Sequence, residues 1–158
     1  MLDSILSPAS FISLLAVFAA GAVGSLALNK NDLMANVWCG CLAGIGSAWG
    51  LVFAVLSLVS GRSVSFAGTL PSIPLLSVSF HIDALSAFFM FTISLISLFC
   101  SIYGLGYVKH FYGKYSLGFL GFLYNISIGS LLLVVTASNG LFFLIAWELM
   151  AFSSYFLV

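Results

Sequence analysis

Charge is what this 158-residue sequence has least of. Four Lys and Arg stand against four Asp and Glu, only 5% of the residues, where an ordinary soluble domain carries about 25%. So little charge excludes a conventional water-facing surface, and the 63% hydrophobic content defines a membrane chain. The formal net charge is zero, so no basic face is present to neutralise phosphates, and nucleic-acid binding is excluded. The three cysteines all fall inside apolar stretches, which predicts buried thiols and neither a disulfide framework nor a metal site. Cys39 and Cys41 are two positions apart, so a helix turns them to nearly opposite sides and they cannot share a metal.

What is abundant is long apolar runs. A spanning helix needs roughly 20 apolar residues, and five fit: about 8–28, 33–60, 83–108, 117–138 and 140–158. The expected fold is therefore an all-α membrane protein of about five transmembrane helices. The first run is preceded by Asp3 with no basic residues, which is unlike a signal peptide and predicts a retained helix. It carries a small-residue ladder in Ala16, Ala20 and Gly24, with Gly21 and Ser25 beside it. The second has Gly40 and Gly44, then Gly46 and Gly50, at four-residue spacings that let helix backbones approach closely in lipid.

Between Gly61 and Asp83 the hydrophobicity breaks into GRSVSFAGTLPSIPLLSVSFHID. Turn residues at Gly68, Pro71 and Pro74, with alternation through Ser77, Val78, Ser79 and Phe80, predict a short surface hairpin. Asp83 is expected to cap the third helix, with His81 a surface residue of the hairpin. On that helix Ser86, Ser94, Ser97, Ser101 and Gly104 share one narrow face, expected to pack on protein as a polar seam. On the fourth, Asn125, Gly129, Leu132 and Thr136 share a face, and Asn125 calls for an interhelical hydrogen bond.

Basic residues concentrate on the cytoplasmic side of membrane proteins. Lys30, Lys109 and Lys114 lie in connections on one side and Arg62 on the other, which predicts an extracytoplasmic amino terminus and hairpin. His110 is then expected in a solvated cytoplasmic loop.

The fifth run, GLFFLIAWELMAFSSYFLV, contains one acid, Glu148. Eight residues past Gly140 at 1.5 Å each put it about 12 Å deep, near the middle of a hydrocarbon layer about 30 Å thick. An acid there costs roughly 2.5 to 3.5 kcal/mol. Three roles are open: a permanently neutral packing donor, a carboxylate paired with a buried cation, or a group that changes state in use. Every Lys and Arg belongs to a connection, so any cationic partner lies outside these residues. Hydrocarbon favours the neutral acid and an approaching cation favours the carboxylate, so a moving cation would make Glu148 take up and release a proton. Tyr155, seven residues on, lies about 20° away around the helix; Trp147 points elsewhere and is expected to pack.

The segments FHIDALSAFFMFTISLISLFCSIYGLGYVKHF (80–111) and AWELMAFSSYFLV (146–158) resemble the amino-terminal signature and fifth helix of the antiporter-like proton-channel subunits. That family is shared by complex I, by formate hydrogenlyase and related membrane hydrogenases, and by multisubunit cation/proton antiporters; the wording is nearest the hydrogenase group. The resemblance implies that Glu148 handles protons, that a hairpin lies outside between the second and third helices, and that the partner lysine sits on a later helix. Family members carry about fourteen spans, so a chain with room for five spans of roughly 20 residues each is expected to be truncated, an amino-terminal part of an antiporter-like domain.

The resemblance implies a multi-pass inner-membrane subunit without a redox centre of its own, working with the other membrane and peripheral subunits of a hydrogenase-type or complex I-type oxidoreductase and coupling its chemistry to proton movement. No sequence motif for flavin, haem, iron–sulfur or nucleotide binding is found. Two other readings stand beside it: a subunit of a cation/proton antiporter, and a non-conducting structural membrane fragment.

Overall fold

The computed structural model describes residues 5–69 and 77–157. Five helices long and apolar enough to cross a membrane are present among them: α1 (Pro8–Ala27), α2 (Asp32–Ser60), α3 (Ala84–Tyr107), α4 (Leu117–Thr136) and α5 (Gly140–Leu157). An antiparallel hairpin, β1 (Val64–Thr69) and β2 (Ser77–Ile82), stands between α2 and α3. The turn residues Pro71 and Pro74, and Asp3 at the start, lie outside the described residues.

Each helix begins where a side chain can satisfy the free N–H groups of a first turn. Ser7 Oγ accepts from Ser10 N at 3.2 Å, Asn31 Oδ1 from Met34 N at 3.3 Å and Asp83 Oδ1 from Ser86 N at 2.8 Å. Asp83 is the cap the sequence predicts. For α5, Asn139 Oδ1 accepts from Leu141 N at 2.9 Å and Phe142 N at 3.2 Å. The start of α4 is capped from a distant part of the chain. Asn29, in the α1–α2 turn, accepts from Gly118 N at 3.1 Å and from the Ser116 hydroxyl at 2.8 Å. Helix α2 stops at Gly61, whose φ of +63° is the left-handed conformation that ends helices and suits glycine.

Helix α4 is the hub, packing on α1, α2, α3 and α5, while α2 and α3 form the most extensive helix pair. Glycines set the approach. A Cβ on Gly46 would meet the Phe18 ring of α1 at 2.7 Å, and one on Gly50 would meet Ser94 Oγ of α3 at 2.6 Å. The Gly46 and Gly50 pair therefore serves two neighbours, while Gly40 and Gly44 both face α3, at Leu105 and Ser101. The ladder on α1 works differently from a packing stripe. Ala16 and Ala20 face outward, and the buried stripe is Phe11, Leu14, Phe18, Gly21, Ala22 and Ser25. Gly24 and Ala20 instead receive Trp38, whose indole N–H donates to Ala20 O at 3.2 Å.

The hairpin lies over one end of the bundle. Val64 pairs with Ile82, and Val64, Phe80 and Ile82 are buried while His81 faces out. Phe80 packs on Phe11 with ring centroids 4.7 Å apart, and Phe11 packs on Phe53 at 6.2 Å. The outer side of β2 continues to the α4–α5 turn, where Ser138 N donates to Ser79 O at 3.0 Å. Only one thiol is buried as expected: Cys39 is enclosed, but Cys41 and Cys100 are exposed on outward helix faces. An apolar span has both a protein side and an outer side, and composition does not tell them apart.

Two tests follow from this packing. Gly118→Ala would place a methyl 2.5 Å from the Ser25 carbonyl oxygen, a backbone atom, whereas Gly104→Ala meets nothing within 4 Å. Gly118→Ala is expected to destabilise the folded chain by about 1–3 kcal/mol and Gly104→Ala by less than about 0.5 kcal/mol, measured by thermal unfolding in detergent. The N–H of Ser86 holds the Asp83 carboxyl below its ordinary range. Its capping contribution is present above the unfolded-state value of about 3.9 and is lost as pH falls through the lower folded value. Asp83→Ala is expected to lower thermal stability at neutral pH and to flatten that acid limb.

Candidate functional site

Glu148 stands at the centre of α5, and the helix fixes which way it faces. The buried residues of α5 are Ala146 and Ser153, 2% and 0% exposed, seven positions apart and so on one stripe, which packs against α4. Glu148 is two residues beyond Ala146, about 200° around the helix, and is exposed on the opposite side. Tyr155 shares that outward side and is 77% exposed. Trp147 packs at a tilt against Phe143, centroids 6.1 Å apart, and remains 49% exposed. Among the described residues Glu148 makes no side-chain hydrogen bond or ion pair. All four cations, Lys30, Arg62, Lys109 and Lys114, lie outside α1–α5, Lys109 in the short 3-10 turn that follows α3. No group of three or more His, Cys, Asp and Glu among the described residues could hold a metal.

The second polar feature is inside the bundle. Asn125, fully buried on α4, donates through Nδ2 to Gly121 O at 3.0 Å and to Cys39 Sγ of α2 at 3.3 Å. The Asn125 Oδ1 finds no hydrogen-bond donor and presses on Gly21 of α1, where even a methyl would collide with it. A glycine Cα–H is the weak partner left to such an oxygen. From the residue just before Asn125, Tyr124 OH lies 3.1 Å from Ser101 Oγ and donates to Ser97 O at 3.2 Å, so α3 is tied to α4 through its serine face. Ser94, Ser97 and Ser101 are buried there, while Ser86 and Gly104 are partly exposed.

At the lysine-bearing end, Asn36 Nδ2 donates to Leu105 O at 3.2 Å and to Tyr112 OH at 3.0 Å, and Asp32 Oδ2 accepts from Gly113 N at 2.7 Å. The connection from α3 to α4, including the short 3-10 turn Val108–Phe111 with His110 exposed, is thus strapped to the start of α2. Sequence reasoning identified Asn125 as needing a partner but did not supply Cys39, and it missed Asn29, Asn36 and Tyr112. These partners are 69 to 89 residues apart, a separation at which spacing carries no signal.

Chemically, the interior network joins helices through neutral hydrogen bonds, and Glu148 is the one acid at mid-span among the described helices, Asp32 standing at the very start of α2; Glu148 is held on a face that the other four helices leave open. The fold is that of a multi-pass membrane protein with an acid set at mid-span. Residues 75–116 match the family described as NADH-ubiquinone oxidoreductase (complex I), chain 5 N-terminus. Over 144 residues, 91% of this chain, it is 30% identical to hydrogenase-4 component B of Escherichia coli (strain K12). The chain thus resembles the antiporter-like membrane subunits of complex I and hydrogenases, through one segment of the family model and through 30% identity along most of its own length. It spans 21% of the length of that hydrogenase relative.

The Asn125 site makes its own prediction. Asn125→Asp replaces an amide that donates to both Gly121 O and Cys39 Sγ by an acid that must take up a proton to donate at all and then has a single O–H, so it is expected to cost about 1–3 kcal/mol in detergent unfolding.

Proposed function

We propose that this chain forms the amino-terminal bundle of a proton-translocating membrane subunit in a hydrogenase-type respiratory assembly, with Glu148 as the proton-carrying group. The subunit binds no redox centre of its own and works beside the other membrane and peripheral subunits of the assembly. It sits in the inner membrane with its amino terminus and hairpin outside the cytoplasm, the orientation favoured by Lys30, Lys109 and Lys114 at the opposite end.

The observation that carries this reading is the placement of Glu148. An acid about 12 Å along a spanning helix, turned away from its own bundle, is costly against lipid and useful against a protein surface that brings a cation. With the cation near, the carboxylate holds its charge; with the cation withdrawn, it takes a proton. The 30% identity to a hydrogenase component favours a redox-coupled assembly over a free-standing antiporter.

The test is Glu148→Gln in the complete assembly. Proton translocation is expected to fall by about 100-fold or more, the usual scale for losing a positioned acid or base, while the complex assembles and transfers electrons. Undiminished pumping by the Gln variant would remove Glu148 from the mechanism.

A further inference from the structure

On the lysine-bearing side, the ends of α3, α4 and α5 enclose a groove of about 530 Å³, within the size range of ligand sites. Its walls include Tyr107, Phe111, Tyr115, Phe119, Leu120 and Phe156. The aromatic rings form two groups along the groove. Tyr107 and Phe111 have centroids 5.4 Å apart, Phe111 and Tyr115 5.9 Å, and Phe119 meets Phe156 at 6.5 Å. The position at the ends of three spans puts these rings at headgroup level, where Tyr keeps its ring in the apolar layer and its hydroxyl in the polar one.

Two lysines flank the groove in sequence, although neither is among the residues that line it. Lys109 is exposed between Tyr107 and Phe111, and Lys114 is exposed beside Tyr115. The backbone N–H of Lys114 is fixed to Phe111 O at 3.0 Å, so the turn holds this lysine next to the aromatic rings. Among the described residues neither lysine makes an ion pair, and no Asp or Glu lines the groove. Asp32, the acid of this end, accepts from Gly113 N.

We propose that this groove binds an anionic phospholipid of the surrounding leaflet. Lys109 and Lys114 attract its phosphate, and the aromatic rings take the glycerol and the upper part of an acyl chain. An apolar groove alone would suit any lipid or helix; the two unpaired cations select a headgroup with net negative charge. A zwitterionic headgroup carries its own cation and gains less from them. The site is independent of Glu148 and of proton transfer.

The experiment uses the complete assembly in nanodiscs containing photoactivatable phosphatidylglycerol or phosphatidylcholine, with cross-links mapped by mass spectrometry to residues 107–123. Each lysine near a membrane surface contributes about five-fold, so phosphatidylglycerol is expected to label this segment roughly 30-fold more than phosphatidylcholine. Lys109→Gln with Lys114→Gln should bring the ratio close to one, and the corresponding Arg pair should retain it. Leu120→Trp, which fills the groove and leaves both lysines, should also abolish the preference. Equal labelling by the two lipids in the wild type, as when another protein segment covers the groove, would overturn the proposal. So would a preference that survives the double Gln variant. A preference that survives Leu120→Trp would mean that the lysines act as general surface charge, with no site.

Discussion

Nothing in the interior of a bilayer can solvate an amide or hydroxyl, so each polar side chain of this bundle has to be satisfied by another helix or by its own backbone. The structure meets that demand largely by bringing polar groups against glycines. Asn125 lies on Gly21, Ser94 on Gly50, Trp38 on Gly24, and Ser25 with Cys39 on Gly121. A missing Cβ lets two backbones approach, and the approach lets a short polar side chain reach a carbonyl or sulfur across the interface. Where it reaches none, as with Asn125 Oδ1 and Ser94 Oγ, the glycine surface itself fills the space. The same residues therefore control both how close the helices come and how the polar atoms are spent.

The two ends of α4 show how this local rule becomes a global one. Its first turn is closed by Asn29 from the α1–α2 turn, and its last residues lead into Ser138, bonded to the hairpin through Ser79. Neither bond is within its own helix. Helix α4 is thus positioned by connections that precede it in sequence, and its interior polar residues arrive at fixed heights opposite Cys39 and Ser101. A hairpin that looks like a surface ornament is consequently a structural member: Phe80 seals the α1–α2 core against Phe11, and the next residue but one along β2, Ile82, is fully buried.

Much of this was legible because the signals are local. Five uninterrupted apolar runs in a chain with 5% charge leave little choice of architecture, and the alternation before Asp83 and the aspartate itself mark a strand end and a cap within a few residues of each other. The shared face of Asn125, Leu132 and Thr136 is likewise local, and all three are buried. What could not be read is which face of an apolar helix meets protein. Ala16 and Ala20 look like a packing ladder and face outward, and Cys41 and Cys100 look interior and are exposed. In a soluble helix polar residues mark the outer side; in a membrane helix both sides are apolar, so the period of hydrophobicity loses its meaning. Long-range partners such as Asn36 with Tyr112 are invisible for a different reason, since only the assembled fold brings them together.

Helix α5 is the exception that gives the proposed mechanism its logic. Helices α2, α3 and α4 bury polar residues at mid-span, among them Ser47, Ser94, Ser97 and Asn125, but α5 turns Ala146 and Ser153 inward and Glu148 outward. A helix selected only to complete this bundle would gain nothing from an acid on its far side and would bear an insertion cost of roughly 2.5 to 3.5 kcal/mol. That cost is reduced if the far side meets polar groups or a cation, so the proposed mechanism calls for further protein on the face that carries Glu148. The interior of the bundle then has a simpler task than conducting. Its neutral hydrogen bonds do not change state with a proton, and they hold α4 rigid while α5 rests on it. A proton carrier on a rigid support, facing a partner that can move, converts the partner's displacement into a change of protonation. The same carrier buried among fixed neutral groups would have nothing to respond to.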